Sequence, residues 1–188
     1  MGKPHWNALK YLLRYINGSV NVGLSYKKRY NTLDLVGYVD SDFAGERDTQ
    51  KSIIALFFTL GGNCISWKSK LQPPVALSSI KADYVAVIDA FKKAIWLQGI
   101  LQEIHLFQSK VMVYSDSQSA IHLSKNPIYH ERTKHVDIRY HYFRDLVTND
   151  TVIKLKVPIE NNPADMDTKV LTPTKFKHCL DLLHVGIG

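Results

Sequence analysis

Four aspartates stand at the boundaries of four separated segments, and a fold that brings them together is a far narrower choice than 188 residues alone would allow. They are Asp40 in Gly37-Tyr38-Val39-Asp40-Ser41-Asp42, Asp83 in Ser78-Ser79-Ile80-Lys81-Ala82-Asp83-Tyr84, Asp116 in Val113-Tyr114-Ser115-Asp116-Ser117-Gln118 and Asp165 in Asn162-Pro163-Ala164-Asp165. Carboxylates converging from distant segments repel one another unless a cation sits among them, and hard oxygen ligands of this kind suit Mg²⁺ or Mn²⁺. Taken singly, each acid has another role open to it, because Asp caps helices and ends strands for backbone reasons.

The hydrophobic pattern gives an order of elements. Trp6, Leu9, Leu12, Leu13 and Ile16 recur on one helical face over residues 4–17, which Asn17-Gly18 closes. A short strand is expected at 22–27. Leu33 to Val39 is a mostly apolar run that suits a central strand ending at Asp40. Residues 52–60 and 64–68 are β-rich, and Gly61-Gly62-Asn63 between them reads as a hairpin turn, so three strands meander antiparallel. The longest helical pattern covers 79–105, with Tyr84, Ile88, Phe91, Ile95, Leu97, Leu101 and Ile104 on its stripe and Asp83 in its first turns. A strand at 111–115 then places Asp116 at a strand's C-terminal end, where ligand groups gather in open α/β sheets. Helices are expected at 117–124 and 136–149, a strand at 151–158, and helices near 163–170 and 173–184. The reading is an α/β domain with a mixed five-stranded sheet flanked by helices.

Composition limits the partners. At 45% hydrophobic residues the chain can bury one good core, and nothing reads as disordered. Cys64 and Cys179 are too far apart in sequence for a metal-binding pair, and two cysteines make no disulfide framework, which fits a reducing compartment. His130, His135 and His141 lack zinc-ligand spacing, and no Gly-x-Ser-x-Gly phrase marks a serine nucleophile. No stretch approaches a membrane span and no signal peptide is legible, so a soluble protein is expected. The net charge of +7 attracts polyanions, above all nucleic acid. Lys68 and Lys70 follow Trp67, and Lys125, Arg132, Lys134, His135, Arg139 and Arg144 crowd a later region with Tyr129, Tyr140 and Tyr142. Such mixtures can meet phosphates and stack on bases, although a solvated, salt-bridged helix face has the same composition.

Six phrases carry a resemblance. Gly37-Tyr38-Val39-Asp40-Ser41-Asp42-Phe43-Ala44-Gly45, Ile65-Ser66-Trp67-Lys68-Ser69-Lys70-Leu71-Gln72-Pro73, Val75-Ala76-Leu77-Ser78-Ser79, Asp116-Ser117-Gln118-Ser119-Ala120-Ile121, Arg132-Thr133-Lys134-His135-Val136-Asp137-Ile138-Arg139-Tyr140-His141 and Asn162-Pro163-Ala164-Asp165 run in order along the chain. Together they resemble the ribonuclease H region of copia-type retrotransposon polyproteins. Residues 4–30, with Pro4-His5-Trp6 and Leu12-Leu13-Arg14-Tyr15, are similar to the end of the reverse transcriptase that precedes it. The resemblance divides the chain into a reverse-transcriptase remnant at 1–32, largely helical, and a ribonuclease H-like domain at 33–188.

What the resemblance implies is a metal-dependent endonuclease that cuts the RNA strand of an RNA·DNA hybrid, with two Mg²⁺ or Mn²⁺ ions held by Asp40, Asp83, Asp116 and Asp165. Asp42 fits the first position less well, since it lies two residues into the turn. Lys68, Lys70, Arg132, Lys134, His135 and Arg139 would meet the nucleic acid, and the rest of the reverse transcriptase would be the covalent partner. The implied setting is intracellular, in the cytoplasm or a virus-like particle. The chain departs from the family pattern at Asp83 and Lys81, where the family carries Glu in a Ser-Ser-Thr-Glu-Ala-Glu-Tyr phrase. Asp83 is one methylene shorter, and Mg²⁺ demands near-ideal octahedral geometry. Ile53-Ile54-Ala55, Asp167 and Val170 also replace residues of other types. A second expectation is therefore a nucleic-acid-binding remnant with weak or no catalysis, and a third is another nuclease or integrase of the same fold.

Overall fold

The computed structural model describes residues 2–27, 33–73, 75–106, 110–117 and 152–187. Helix α1 (Lys3–Gly18) is followed by strands β1 (Val22–Leu24), β2 (Leu35–Asp42), β3 (Ile53–Leu60) and β4 (Asn63–Leu71), and then by helix α2 (Ser79–Glu103). Strands β5 (Val111–Ser115) and β6 (Val152–Lys156), two 3₁₀ turns (Ile159–Asn161 and Pro163–Asp167), helix α3 (Pro173–Leu182) and strand β7 (Val185–Ile187) complete it. The helices expected at 117–124 and 136–149 lie outside the described residues.

The main sheet has the order β4-β3-β2-β5-β6. β2, β3 and β4 pair antiparallel, while β2–β5 and β5–β6 are parallel, so the sheet is mixed and five-stranded as expected. β3 reads Ile53-Ile54-Ala55-Leu56-Phe57-Phe58-Thr59-Leu60 and is buried on both faces, which is why it shows no polar alternation. The Gly61-Gly62 turn has positive φ at both residues (55° and 81°), the backbone that a two-residue hairpin matching the strand twist requires. Gly37 in mid-strand has a packing reason: a Cβ there would stand 2.6 Å from the Phe58 ring. Edge strand β4 carries Lys68 and Lys70, charges that discourage pairing with another chain.

One face of the sheet packs on α2. Leu35, Val39, Ile54, Leu56, Phe58, Val111, Val113 and Val152 meet Phe91, Leu97 and Leu101 there. Ala82, Ala86, Ala90 and Ala94 repeat every fourth residue and are all buried, a row of small side chains that lets the helix lie close on the sheet. The expected stripe holds at Ile88, Phe91, Leu97 and Leu101, whereas Tyr84 and Ile95 are half-buried and Ile104 is exposed. The opposite face buries Ala55, Phe57, Cys64, Ala164 and Leu183.

Two features go beyond the expected elements, and one expectation shifts. The apolar stripe of α1 is exposed from Trp6 to Ile16, and no residue of that helix is buried. β1 pairs antiparallel with β7, tying residues 22–24 to the chain's last strand. The helix expected near 163–170 is a single 3₁₀ turn over Pro163–Asp167, because Asn162 caps it and Thr168 ends it with its amide and hydroxyl both on the Asp165 carbonyl. No described helix is long and apolar enough to cross a membrane.

Candidate metal centre

Three of the four aspartates meet. Asp40, Asp116 and Asp165 each offer a carboxylate oxygen, and the three oxygens lie within 4.8 Å of one another. Asp40 comes from central strand β2 and Asp116 directly follows its parallel neighbour β5, so the two acids leave the sheet side by side at its C-terminal edge. Asp165 arrives on the 3₁₀ turn, which Asn162 fixes in place. The Asn162 side-chain amide donates to the Val39 carbonyl (3.1 Å), and its oxygen accepts from the Ala164 amide (3.2 Å). Asn162 thereby pins the Asp165 turn to the residue beside Asp40.

Asp40 is 4% and Asp165 0% exposed, so their charges require compensation. Lys169 Nζ supplies part of it, lying 3.0 Å from Asp40 Oδ2 and 3.2 Å from Asp165 Oδ1. Lys175 Nζ donates to Asp165 Oδ2 at 2.5 Å, and the Thr168 hydroxyl donates to Asp40 Oδ2. Burial nevertheless pushes the Asp40 carboxyl up to about 6, against the Thr168 hydrogen bond and Lys169 and with Asp116 adding to the rise. Asp116 is raised as well, by burial first, with Lys169 opposing and Asp165 and Asp83 reinforcing. Burial opposes the charge on Lys169, but the two carboxylates outweigh it and raise its affinity for the proton. Three carboxylates facing two ammoniums leave negative charge in excess. Hard oxygen donors from three elements with a residual negative charge fit a divalent cation such as Mg²⁺ or Mn²⁺.

Asp83 stands apart from this set. It lies in the first turns of α2, where Ser78 caps the helix and the Gln72 side chain donates to the Ala82 carbonyl (2.8 Å). Its Oδ1 accepts a hydrogen bond from Ser41 Oγ at 2.5 Å, and its charge is felt at Asp116. Asp42 is outside the set too, and holds the turn after β2, where Gly45 leaves no room for a Cβ beside the Asp42 carboxylate. Lys68 and Lys70 are on edge strand β4, and Lys70 pairs with Asp89 of α2. Arg132, Lys134, His135 and Arg139 lie outside the described residues.

Sequence reading missed Ser41, Asn162, Thr168, Lys169 and Lys175. The spacing of Asp165 and Lys169 was a usable signal, since residues four apart face each other across one turn. Lys175 had none, because the start of a separate helix carries it to Asp165. Lys154 was missed as well: it is a half-buried lysine on β6 whose buried Nζ has no hydrogen-bond partner among the described residues.

The chain is 47% identical over 182 residues to a retrovirus-related Pol polyprotein from transposon TNT 1-94 of Nicotiana tabacum, a match that covers 97% of the chain and 14% of that protein. It is 36% identical over 175 residues to the corresponding polyprotein of transposon RE2 of Arabidopsis thaliana, covering 93% of the chain and 12% of the relative. The chain is a homologue of plant retrotransposon Pol polyproteins. It spans about one-seventh or less of the length of these relatives. No protein-family model matches it. Among solved structures, LC11-RNase H1 in complex with an RNA/DNA hybrid superposes with a TM-score of 0.51 at 18% identity, covering 71% of the chain and 92% of that protein. The fold of this Pol homologue is accordingly ribonuclease H-like.

Proposed function

We propose that this chain is the ribonuclease H region of a retrotransposon polyprotein and cleaves the RNA strand of an RNA·DNA hybrid. The observation that carries the reading is the meeting of Asp40, Asp116 and Asp165 at the edge of a ribonuclease H-like sheet. Those three side chains would hold Mg²⁺ or Mn²⁺, with Asp83 completing a second ion's site. Bound there, divalent ions supply activation of the attacking water and charge stabilisation at the leaving oxygen of an in-line displacement. The chain's own residues bind and orient: Thr168 and Lys169 fix the Asp40 carboxylate, while Asn162 and Lys175 fix Asp165. Lys68, Lys70, Arg132, Lys134, His135 and Arg139 would bind the nucleic acid.

The flanking segment supports a polyprotein setting. The unburied apolar stripe of α1 suits the division of the chain at about residue 32, with the first part packing on a preceding reverse transcriptase. An intracellular setting, cytoplasm or virus-like particle, follows from that parentage.

A second reading, a nucleic-acid-binding remnant, is favoured by the Ser41 hydrogen bond that holds Asp83 and by the Lys169 ammonium between two of the three metal-facing acids. One experiment separates the two. The purified chain is incubated with end-labelled RNA·DNA hybrid, and with RNA and DNA duplexes, in Mg²⁺, Mn²⁺ or EDTA. Metal-dependent cutting of the hybrid's RNA strand, lost in Asp40→Asn, is expected. Binding to the hybrid without any cutting in either metal would leave the remnant reading in its place.

A further inference from the structure

We propose that the cleft between edge strand β4 and helix α2 binds a single-stranded nucleic acid segment, with one base stacked on Trp96 and neighbouring phosphates on Lys68 and Lys93. The inference extends the nucleic-acid contact proposed at Lys68 and Lys70, but it does not rest on catalysis at the acid cluster.

The cleft has a volume of about 360 Å³, within the roughly 300–1,000 Å³ range of ligand pockets. Its helical wall is Asp89, Lys92, Lys93 and Trp96, spaced i, i+3, i+4 and i+7 and therefore on one face of α2. Its strand wall is Ser66, Lys68 and Lys70. The register sets these three opposite Phe58, Leu56 and Ile54, whose side chains pack toward α2. Leu56 and Phe58 form the apolar floor. Trp67 also lines the cleft, but it pairs with Phe57 and strand alternation sets its side chain on the other face, so Trp96, 56% exposed, is the indole presented from the α2 wall.

Charge selects the occupant. Four lysines line the cleft against one aspartate. Lys70 pairs with Asp89, and Lys92 lies 4.0 Å from the same carboxylate. That leaves Lys68 and Lys93, neither of which has an ion-pair partner among the described residues. Burial and the neighbouring Lys68 charge both lower the Lys93 ammonium's hold on its proton. Two ammoniums that raise each other's energy form a site that an anion relieves. Lys93 Nζ also sits 3.9 Å from the centroid of the Trp96 ring, so the cation and the stacking surface are presented together.

The indole decides which polyanion fits. An acidic peptide satisfies ammoniums but offers no π-face, whereas every unpaired base does. A duplex keeps its bases stacked inside and cannot deliver one to Trp96. Across the sheet the cleft is two strand spacings, roughly 10 Å, from β2: Lys68 pairs with Leu56, which pairs with Val39, while alternation turns the next residue, Asp40, to the opposite face.

The test is fluorescence anisotropy of labelled oligothymidylate with the whole chain in EDTA, where metal-dependent cleavage plays no part. Trp96→Ala should weaken binding about 5- to 160-fold, the range of one lost base stack, and Trp96→Phe should restore most of it. Lys68→Ala with Lys93→Ala should reduce the salt slope by about 1.4, or 0.7 for each phosphate. Circular dichroism confirms that each variant folds. Polyglutamate of equal charge should compete poorly. Unchanged affinity in folded Trp96→Ala, equal loss on a DNA duplex, or competition by polyglutamate as effective as by oligothymidylate would overturn the proposal.

Discussion

Lys169 Nζ lies 3.0 Å from Oδ2 of Asp40, one of the three acids that meet. The ammonium lies 3.2 Å from Asp165 Oδ1 as well, so it bridges two of the three groups proposed to hold metal. A divalent ion entering there competes with a cation already present, and the 38% exposure of the lysine side chain gives it a way out to solvent.

Lys169→Gln should therefore act in opposite directions on the two forms of the protein. Without metal, two buried carboxylates lose a partner, at a cost of about 1–2 kcal/mol once solvent access to the lysine is allowed for. With metal, the competitor is gone, and the Mg²⁺ concentration that half-stabilises the fold should drop about 10-fold. Thermal melts across a metal titration measure both. A variant that loses stability equally at every metal concentration would show that Lys169 is not in competition with the ion.

The Asp40 carboxyl gives the centre a pH dependence. Its folded value of about 6 lies above the 3.8 of an ordinary aspartate. The folded state thus holds the extra proton between those values, so this group's contribution to stability is complete below about 4 and is lost as pH rises through about 6. Metal binding requires the ionised form and runs the other way, strengthening as pH rises through the same window. Melts at pH 5, 6 and 7.5, with and without Mn²⁺, should show a metal-induced shift that grows with pH. A shift of constant size across that range would count against Asp40 as a ligand.

Asn162 should matter to both fold and site. It is fully buried, it caps the Asp165 turn, and it holds that turn to Val39. Asn162→Ala leaves the Val39 carbonyl and the Ala164 amide without these partners, at an expected cost of about 1–3 kcal/mol. Because the turn also sets Asp165, Mn²⁺ affinity should fall further than in a control of equal stability loss such as Val113→Ala. Equal affinity in the two variants would reduce Asn162 to a packing residue.

Asp83→Glu tests the remaining carboxylate. The aspartate accepts from Ser41 and stands outside the three-oxygen set. One more methylene gives reach toward Asp116, whose carboxyl already responds to the Asp83 charge. Hybrid cleavage should rise about 10-fold, or ~1.4 kcal/mol in the barrier, and Mn²⁺ should rescue the parent more than Mg²⁺. Lys81→Glu addresses the other departure from the family pattern and should add to the gain, though not independently, since the two residues are two positions apart. No change in rate from either variant or both would place the defect elsewhere.

The sequence was legible where periodicity and punctuation agreed. The hairpin at Gly61-Gly62, the α2 stripe and the two parallel strands all follow from local patterns that the packing reinforces. The convergence of Asp40, Asp116 and Asp165 was suggested by their positions at segment ends, since parallel neighbours deliver their C-terminal residues to one edge. Side-chain partners chosen by tertiary contact were not legible. Ser41 reaching Asp83 and Lys175 reaching Asp165 depend on how α2 and α3 lie against the sheet. The α1 stripe correctly marked an amphipathic helix, but spacing alone does not say which surface covers its apolar face. The sequence reading passed over the Asp89, Lys92, Lys93 and Trp96 stripe, which lies on one helical face and takes its meaning from the neighbouring strand.

Lys154 supplies the last prediction. It occupies β6 opposite Val113, under α2, and its buried Nζ lacks a hydrogen-bond partner among the described residues. Burial lowers its ammonium to about 7, with the Asp83 charge pulling the other way. An unfolded lysine titrates near 10.5, so the folded state carries the full cost of a buried charge below about pH 7 and none of it above 10.5. Lys154→Met keeps the apolar stem and removes the charge. It should stabilise the protein by about 1–2 kcal/mol at pH 6, and the gain should shrink steadily toward pH 10. It also removes a positive charge that competes with a divalent ion for Asp83, so the Mn²⁺ requirement for hybrid cleavage should fall. Paired melts of parent and variant at pH 6 and 9.5 decide the first point, and a destabilised variant, or an equal gain at both pH values, would show that Lys154 has a partner that satisfies its charge.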